Sequence, residues 1–144
     1  MLALVLVVRT VGTEAASSGD GSSFKAAAVD ADPDAEAFSQ QRLDALLAEK
    51  RPVFVNMTAA WCITCLVNER TTLSTEAVRT AFREKDVAYL KGDWTNRNPE
   101  ITRVLERHGR SGVPLYLLYP AGKDPIVLPQ ILTESVVLEH TGRL

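Results

Sequence analysis

The sequence is short of cysteine, of histidine, of long apolar runs and of surplus charge, and each shortage removes a class of function. Its 144 residues hold only two cysteines, Cys62 and Cys65. A small secreted fold stapled by disulfides needs more of them, spread along the chain. A closed structural zinc site takes four Cys or His ligands; the two histidines, His108 and His140, lie far from the cysteine pair and from each other. There is no phosphate-cradling glycine loop, no metal ligand set and no serine–histidine constellation, so no cofactor is expected beyond the cysteine pair itself. The net charge is −2, without the basic face that nucleic acid demands. That total is unevenly spread: residues 1–37 carry six acids against two bases, and residues 38–144 twelve acids against fourteen bases.

What is present suits one folded domain. Apolar residues make up 46% and charged residues 24%, an ordinary globular balance. The N-terminal apolar run, Met1–Val8, is eight residues long, well short of the roughly 20 that a membrane-spanning helix takes. It also lacks the basic flank of a signal peptide. Three readings stay open for residues 1–11: the end of a transmembrane helix, a signal remnant, or a short buried strand. Residues 12–37 are rich in Gly, Ser, Ala and Asp and read as a flexible tether, because such a stretch buries too little apolar surface to order itself. Stub and tether together imply a domain, residues 38–144, hung from a membrane.

From Phe38 the chain is periodic. Phe38, Leu43, Leu46 and Leu47 share one helical face, and Pro52 ends that helix. Val53–Met57 reads as a buried strand. The cysteine pair follows directly and opens a helical stretch to about Thr72. Ser74 is a candidate N-cap for a helix whose Ala77, Val78, Ala81 and Phe82 share a face. Val87–Leu90 is a second strand. Asn98-Pro99 opens the next helix, and Gly109 suits the position past its end. Leu115–Tyr119 and Ile126–Leu128 form a hairpin, and Thr133 caps a last helix. The order α-β-α-β-α-β-β-α predicts an α/β fold: a central mixed four-stranded sheet with helices on both faces.

The pair sits where strand gives way to helix. A cysteine at a helix N-terminus meets unpaired backbone N–H groups and the positive end of the macrodipole, which favour the reactive thiolate. Two intervening residues let the second sulfur reach back one turn. Cys62 is therefore the candidate nucleophile and Cys65 the resolving thiol. Taken alone, a Cys-x-x-Cys pair is as readily two small buried hydrophobes or a metal site; its place after a buried strand and beside Trp61 favours redox chemistry. Glu69, one turn past Cys65, is a candidate proton donor and acceptor for that sulfur, or else an exposed carboxylate with a basic neighbour. Trp61 either shields the pair and shapes a docking surface or packs in the core. Trp94, Tyr116 and Tyr119 read as packing, and His108 as a partner for the last carbonyls of its helix.

The run Val55-Asn56-Met57-Thr58-Ala59-Ala60-Trp61-Cys62-Ile63-Thr64-Cys65 resembles the active-site strand and helix start of thioredoxin-like proteins. Gly112-Val113-Pro114 resembles that superfamily's cis-proline turn. Closer still is the C-terminal periplasmic domain of the DsbD thiol:disulfide interchange family. It shares an Ala-x-Trp-Cys-x-x-Cys run, a glutamate four residues past the second cysteine (Glu69 here), and a Thr-Asn-like stretch (Thr95-Asn96 here). The resemblance covers residues 38–144. It implies a protein-disulfide reductase on the periplasmic face of a bacterial inner membrane, held there through the N-terminal segment. It also implies an upstream transmembrane electron-transfer module that feeds the chain. The partners would be periplasmic thiol proteins, including those that serve cytochrome c biogenesis. Substrate would bind at Trp61, Val113 and Pro114, a cis bond at Pro114 leaving the Val113 backbone free to pair with an extended strand; otherwise Pro114 is a trans proline that starts a strand. One residue departs from the thioredoxin pattern. Asn56 stands where thioredoxins carry a buried aspartate, and an amide takes no proton, which leaves Glu69 or water to serve Cys65. A free-standing thioredoxin, a disulfide oxidase and a thiolate metal-binding module remain as alternatives.

Overall fold

Val53–Thr58 (β2) is buried at every position, on both of its faces. An apolar run without alternation belongs at the centre of a sheet that is covered on both sides. The computed structural model, which describes residues 32–144, places it there. β2 pairs in parallel with Ala88–Asp93 (β3) and antiparallel with Leu115–Tyr119 (β4). Ile126–Leu128 (β5) continues the sheet beyond β4, and Ala35–Ala37 (β1) beyond β3, giving the order β1-β3-β2-β4-β5.

The sheet is mixed, as expected, but it has five strands rather than four. The additional strand, β1, falls in the stretch read as tether. Two alanines and a glutamate carry little strand propensity of their own; parallel pairing with Tyr89–Lys91 supplies the order. Just ahead of it, Asp32 and Asp34 reach Arg79 at 3.6 and 3.8 Å. The apolar stub at residues 1–11 and the tether up to residue 31 lie outside the described residues.

Alternation along β2 divides the interior into two cores. Val53, Val55 and Met57 join Leu43 and Leu46 of Gln40–Ala48 (α1) and Ile101, Val104 and Leu105 of Pro99–Arg107 (α4). Phe54 joins Val78 and Phe82 of Glu76–Glu84 (α3) and Val137 of Glu134–Thr141 (α5). The Phe82, Tyr89 and Tyr116 rings lie 5.2, 5.4 and 6.1 Å from the Phe54 ring. Each such aromatic side chain contributes roughly 1.5–3 kcal/mol on burial. In the first core Gly92 lets β3 approach Met57: a Cβ there would lie 2.3 Å from the Met57 Sδ.

Ser39, Asn98 and Thr133 cap α1, α4 and α5, each side chain accepting a backbone N–H from the first turn. α3 is capped by Thr75, not Ser74. Ser74 is occupied by the turn before it, its N–H donating to the Glu69 carbonyl and its hydroxyl to the Arg70 carbonyl. That turn is a π turn, Glu69–Leu73, which continues Ile63–Asn68 (α2). Interruptions of this kind recur at functional sites.

Candidate functional site

After β2 the chain turns through Ala59–Trp61 and enters α2 at Cys62. Cys62 is the N-cap: its backbone is extended, and its Sγ accepts the Cys65 N–H at 3.2 Å. The two Cα atoms are 5.3 Å apart and the sulfurs are bonded to each other. Cys65 is 0% exposed and Cys62 8%, so an incoming sulfur meets Cys62 first. Ala59 and Val113 pack against the disulfide. The Val113–Pro114 peptide is cis, and Pro114 is buried.

Trp61 stands at the rim and not in the core, 52% exposed. Its indole N–H donates to the Thr95 carbonyl at 3.1 Å, and its ring leans on Trp94 with centroids 6.0 Å apart. The Thr95 hydroxyl accepts the Ala60 N–H at 2.9 Å and bonds the Asp93 carboxylate, which also takes the Thr95 N–H. Asp93 therefore fixes Thr95, and Thr95 fixes the two residues that precede Cys62. Thr95 is part of the family-like Thr95-Asn96 stretch, whereas Asp93 carries no such mark in the sequence beyond being an acid that closes its strand. Trp94 and Tyr116 are buried and Tyr119 half-buried, all three packing in the cores.

Beneath α2 the strand register sets Tyr116, Asn56 and Lys91 side by side. Asn56 Nδ2 donates to Glu69 Oε1 at 3.2 Å and to the Tyr89 hydroxyl at 3.0 Å. A carboxylate only accepts, so Glu69 fixes which way the amide points. Lys91 Nζ lies 3.3 Å from the same Glu69 oxygen, and the two side chains are 14% and 15% exposed. Glu69 is thus no loose surface carboxylate. It is nearly buried one turn beyond Cys65, with Oε1 held by two donors and Oε2 free of hydrogen bonds from the described residues. Asn56, read as a missing acid, is a donor that anchors the acid beside it. Lys91 was not singled out in the sequence; a charge directly after the buried run Ala88–Leu90 was its signal.

Asn68 ties α2 to the far loop. Its Nδ2 donates to the Tyr116 hydroxyl at 2.8 Å and the Gln130 carbonyl at 2.7 Å, and its Oδ1 accepts the Leu132 N–H at 3.2 Å. Burial pushes the Tyr116 phenol up to about 12 and Tyr89 still further above its ordinary range. His108 caps the end of α4 away from this network, its pKa lowered by burial and then by Arg107 and Arg110. Among the described residues no group of three or more His, Cys, Asp or Glu is placed to hold a metal.

A family model described as thioredoxin-like matches residues 34–121. The chain belongs to the thioredoxin-like family. Thiol:disulfide interchange protein DsbD 1 of Pseudomonas aeruginosa is 37% identical to it over 87 residues, which are 58% of this chain and 14% of that protein. This chain therefore spans only a small part of that relative's length. The C-terminal domain of Neisseria meningitidis DsbD, in its oxidised form, matches with a TM-score of 0.60 at 21% identity, over 75% of this chain and 98% of that one. A thioredoxin from Thermus thermophilus matches with a TM-score of 0.61 at 17% identity, over 76% and 84% of the two chains. Both share the fold. The chain is a thioredoxin-like thiol–disulfide oxidoreductase, its redox group being the Cys62–Cys65 disulfide, and the family's chemistry needs no further cofactor.

Proposed function

We propose that the chain reduces protein disulfides on the periplasmic side of a bacterial inner membrane, and that a membrane-embedded dithiol carrier recharges it. The observation that carries this reading is the asymmetry of the pair: Cys62 at a helix N-terminus with 8% of its surface still open, Cys65 sealed one turn before Glu69. In the reduced chain the Cys65 N–H and the start of α2 favour a Cys62 thiolate. That thiolate attacks a partner disulfide; a Cys62–partner bond forms and the partner's second sulfur leaves as a thiolate. Glu69 then takes the Cys65 proton. Cys65 attacks Cys62, the mixed disulfide breaks, and the partner leaves as a dithiol once protonated. Two electrons have passed to the partner, and the Cys62–Cys65 bond stands oxidised.

Trp61 and Val113 would form the docking rim, Val113 packing against the disulfide with the buried Pro114 next to it. The 37% identity to a thiol:disulfide interchange protein supports interchange chemistry. Residues 1–11, where a membrane attachment would lie, are outside the described part, and no described helix is long and apolar enough to cross a membrane.

The test is a pair of variants and a titration. Cys62→Ser abolishes reduction of a protein disulfide, while Cys65→Ser accumulates mixed disulfides. A Cys62→Ser protein that still turned over would overturn the assignment of roles. Equilibration with a thiol buffer gives the direction of flow: a potential near that of strong disulfide oxidants, about −120 mV, would rule out a reductase.

A further inference from the structure

Next to the redox site, between the loop after β3 and the loop before β4, an open cleft of about 520 Å³ is lined by residues that include Trp94, Arg97, Leu105, Glu106, Arg110 and Ser111. We propose that this cleft receives an acidic side chain from the protein segment lying across Cys62–Cys65, and that Arg97 and Arg110 select for it. The proposal rests on the reading of the disulfide as a docking site for protein segments and states the chemistry such a segment carries.

Two sets of observations support it. The first is continuity. Trp94, in the cleft wall, leans on Trp61 with centroids 6.0 Å apart, and a Cβ at Gly112 would lie 3.7 Å from the Trp94 ring. Ser111, in the lining, is two residues before Val113, so a strand laid along Val113 and past the exposed Trp61 runs toward the cleft mouth, where Arg97 is exposed over the buried Trp94. The second is charge. Arg97 and Arg110 have no carboxylate within 4.0 Å among the described residues, a state they share with Arg70, Arg103 and Arg107, but these two are the unpaired guanidinium groups that line the cleft. Glu106, the acid in the lining, pairs with neither. The Arg97 guanidinium lies 5.2 Å over the Trp94 ring. A cation at that distance over an aromatic face is attracted to the ring, and its N–H donors remain for an incoming carboxylate. Arg97 keeps this position although its backbone is left-handed, at φ 54, a conformation unfavourable to residues with a Cβ.

The test uses the full chain in its oxidised form and two short cysteine-free peptides that differ only by Asp against Asn. Calorimetry should show the Asp peptide bound about fivefold more tightly, the upper end for an exposed ion pair, with the preference fading as salt is added. Arg97→Gln with Arg110→Gln removes the preference and leaves affinity for the Asn peptide unchanged. Equal binding of the two peptides by the unaltered chain, no measurable binding of either, or a preference that survives in the double variant would overturn the proposal. Because an unreactive complex is read, these outcomes are separate from whether Cys62 reduces disulfides.

Discussion

At Glu69 one carboxylate oxygen takes a hydrogen bond from Asn56 and pairs with the Lys91 ammonium, while the other takes no hydrogen bond from the described residues. In the proposed relay this arrangement would aim Glu69 by its neighbours and keep a lone pair free for a proton. Its predicted effect is confined to one step. Glu69→Gln retains the shape and the bond from Asn56 but cannot take a proton; release of the mixed disulfide by Cys65 should slow about 100-fold, the lower range for a positioned general base. The first attack, by Cys62, should keep its rate. Rapid mixing with acid quenching separates the two, and equal slowing of both steps would refute a proton role for Glu69 in resolution. The Cys62–Cys65 pair was legible in the sequence because the strand before it and the helix after it spell out its setting. The sequence leaves Trp61 open between rim and core, and Pro114 between cis and trans. Lys91 was not legible, because it meets Glu69 only through the strand register, and Asp93 was missed although it bonds Thr95 only two residues on.

The helices and inner strands were legible for a similar reason: their apolar spacing is repeated within each segment. β1 escaped because its order comes from the open edge of β3 rather than from its own residues. The cap of α3 was misplaced by one residue because Ser74 and Thr75 are both good caps, and the π turn ahead of them had already engaged Ser74. That same run of chain holds the fastening of the active-site helix. Asn68, on the last turn of α2, satisfies the Tyr116 hydroxyl, the Gln130 carbonyl and the Leu132 N–H at once. Asn68→Ala removes all three bonds within a buried region, where each orphaned group costs about 1–3 kcal/mol. Partial relaxation should leave a loss of about 3 kcal/mol in urea unfolding. A loss under about 0.5 kcal/mol, typical of an indifferent surface change, would show that Asn68 is not the fastening.

Over the whole molecule, both faces of the sheet are covered, and the three tyrosines report on that covering. Tyr89 and Tyr116 lie in one core, Tyr119 packs against the other, and burial raises the pKa of each phenol. A phenol ordinarily ionises near pH 10. Above that value the unfolded chain gives up phenolic protons that the folded chain keeps, so the unfolded state binds fewer protons and stability falls as pH rises. Below about pH 10 both states hold these protons and the groups contribute no pH dependence. Two results follow for a spectrophotometric titration. In urea, about half of the phenols should be ionised near pH 10; without urea, phenolate absorbance should stay low there and rise later, together with loss of helical signal. The loss reaches the redox site as well, since the Tyr89 hydroxyl accepts the Asn56 amide that also holds Glu69. If native and unfolded chains ionised alike near pH 10, water would already reach these rings, and the layer beneath α2 could not hold Glu69 as described.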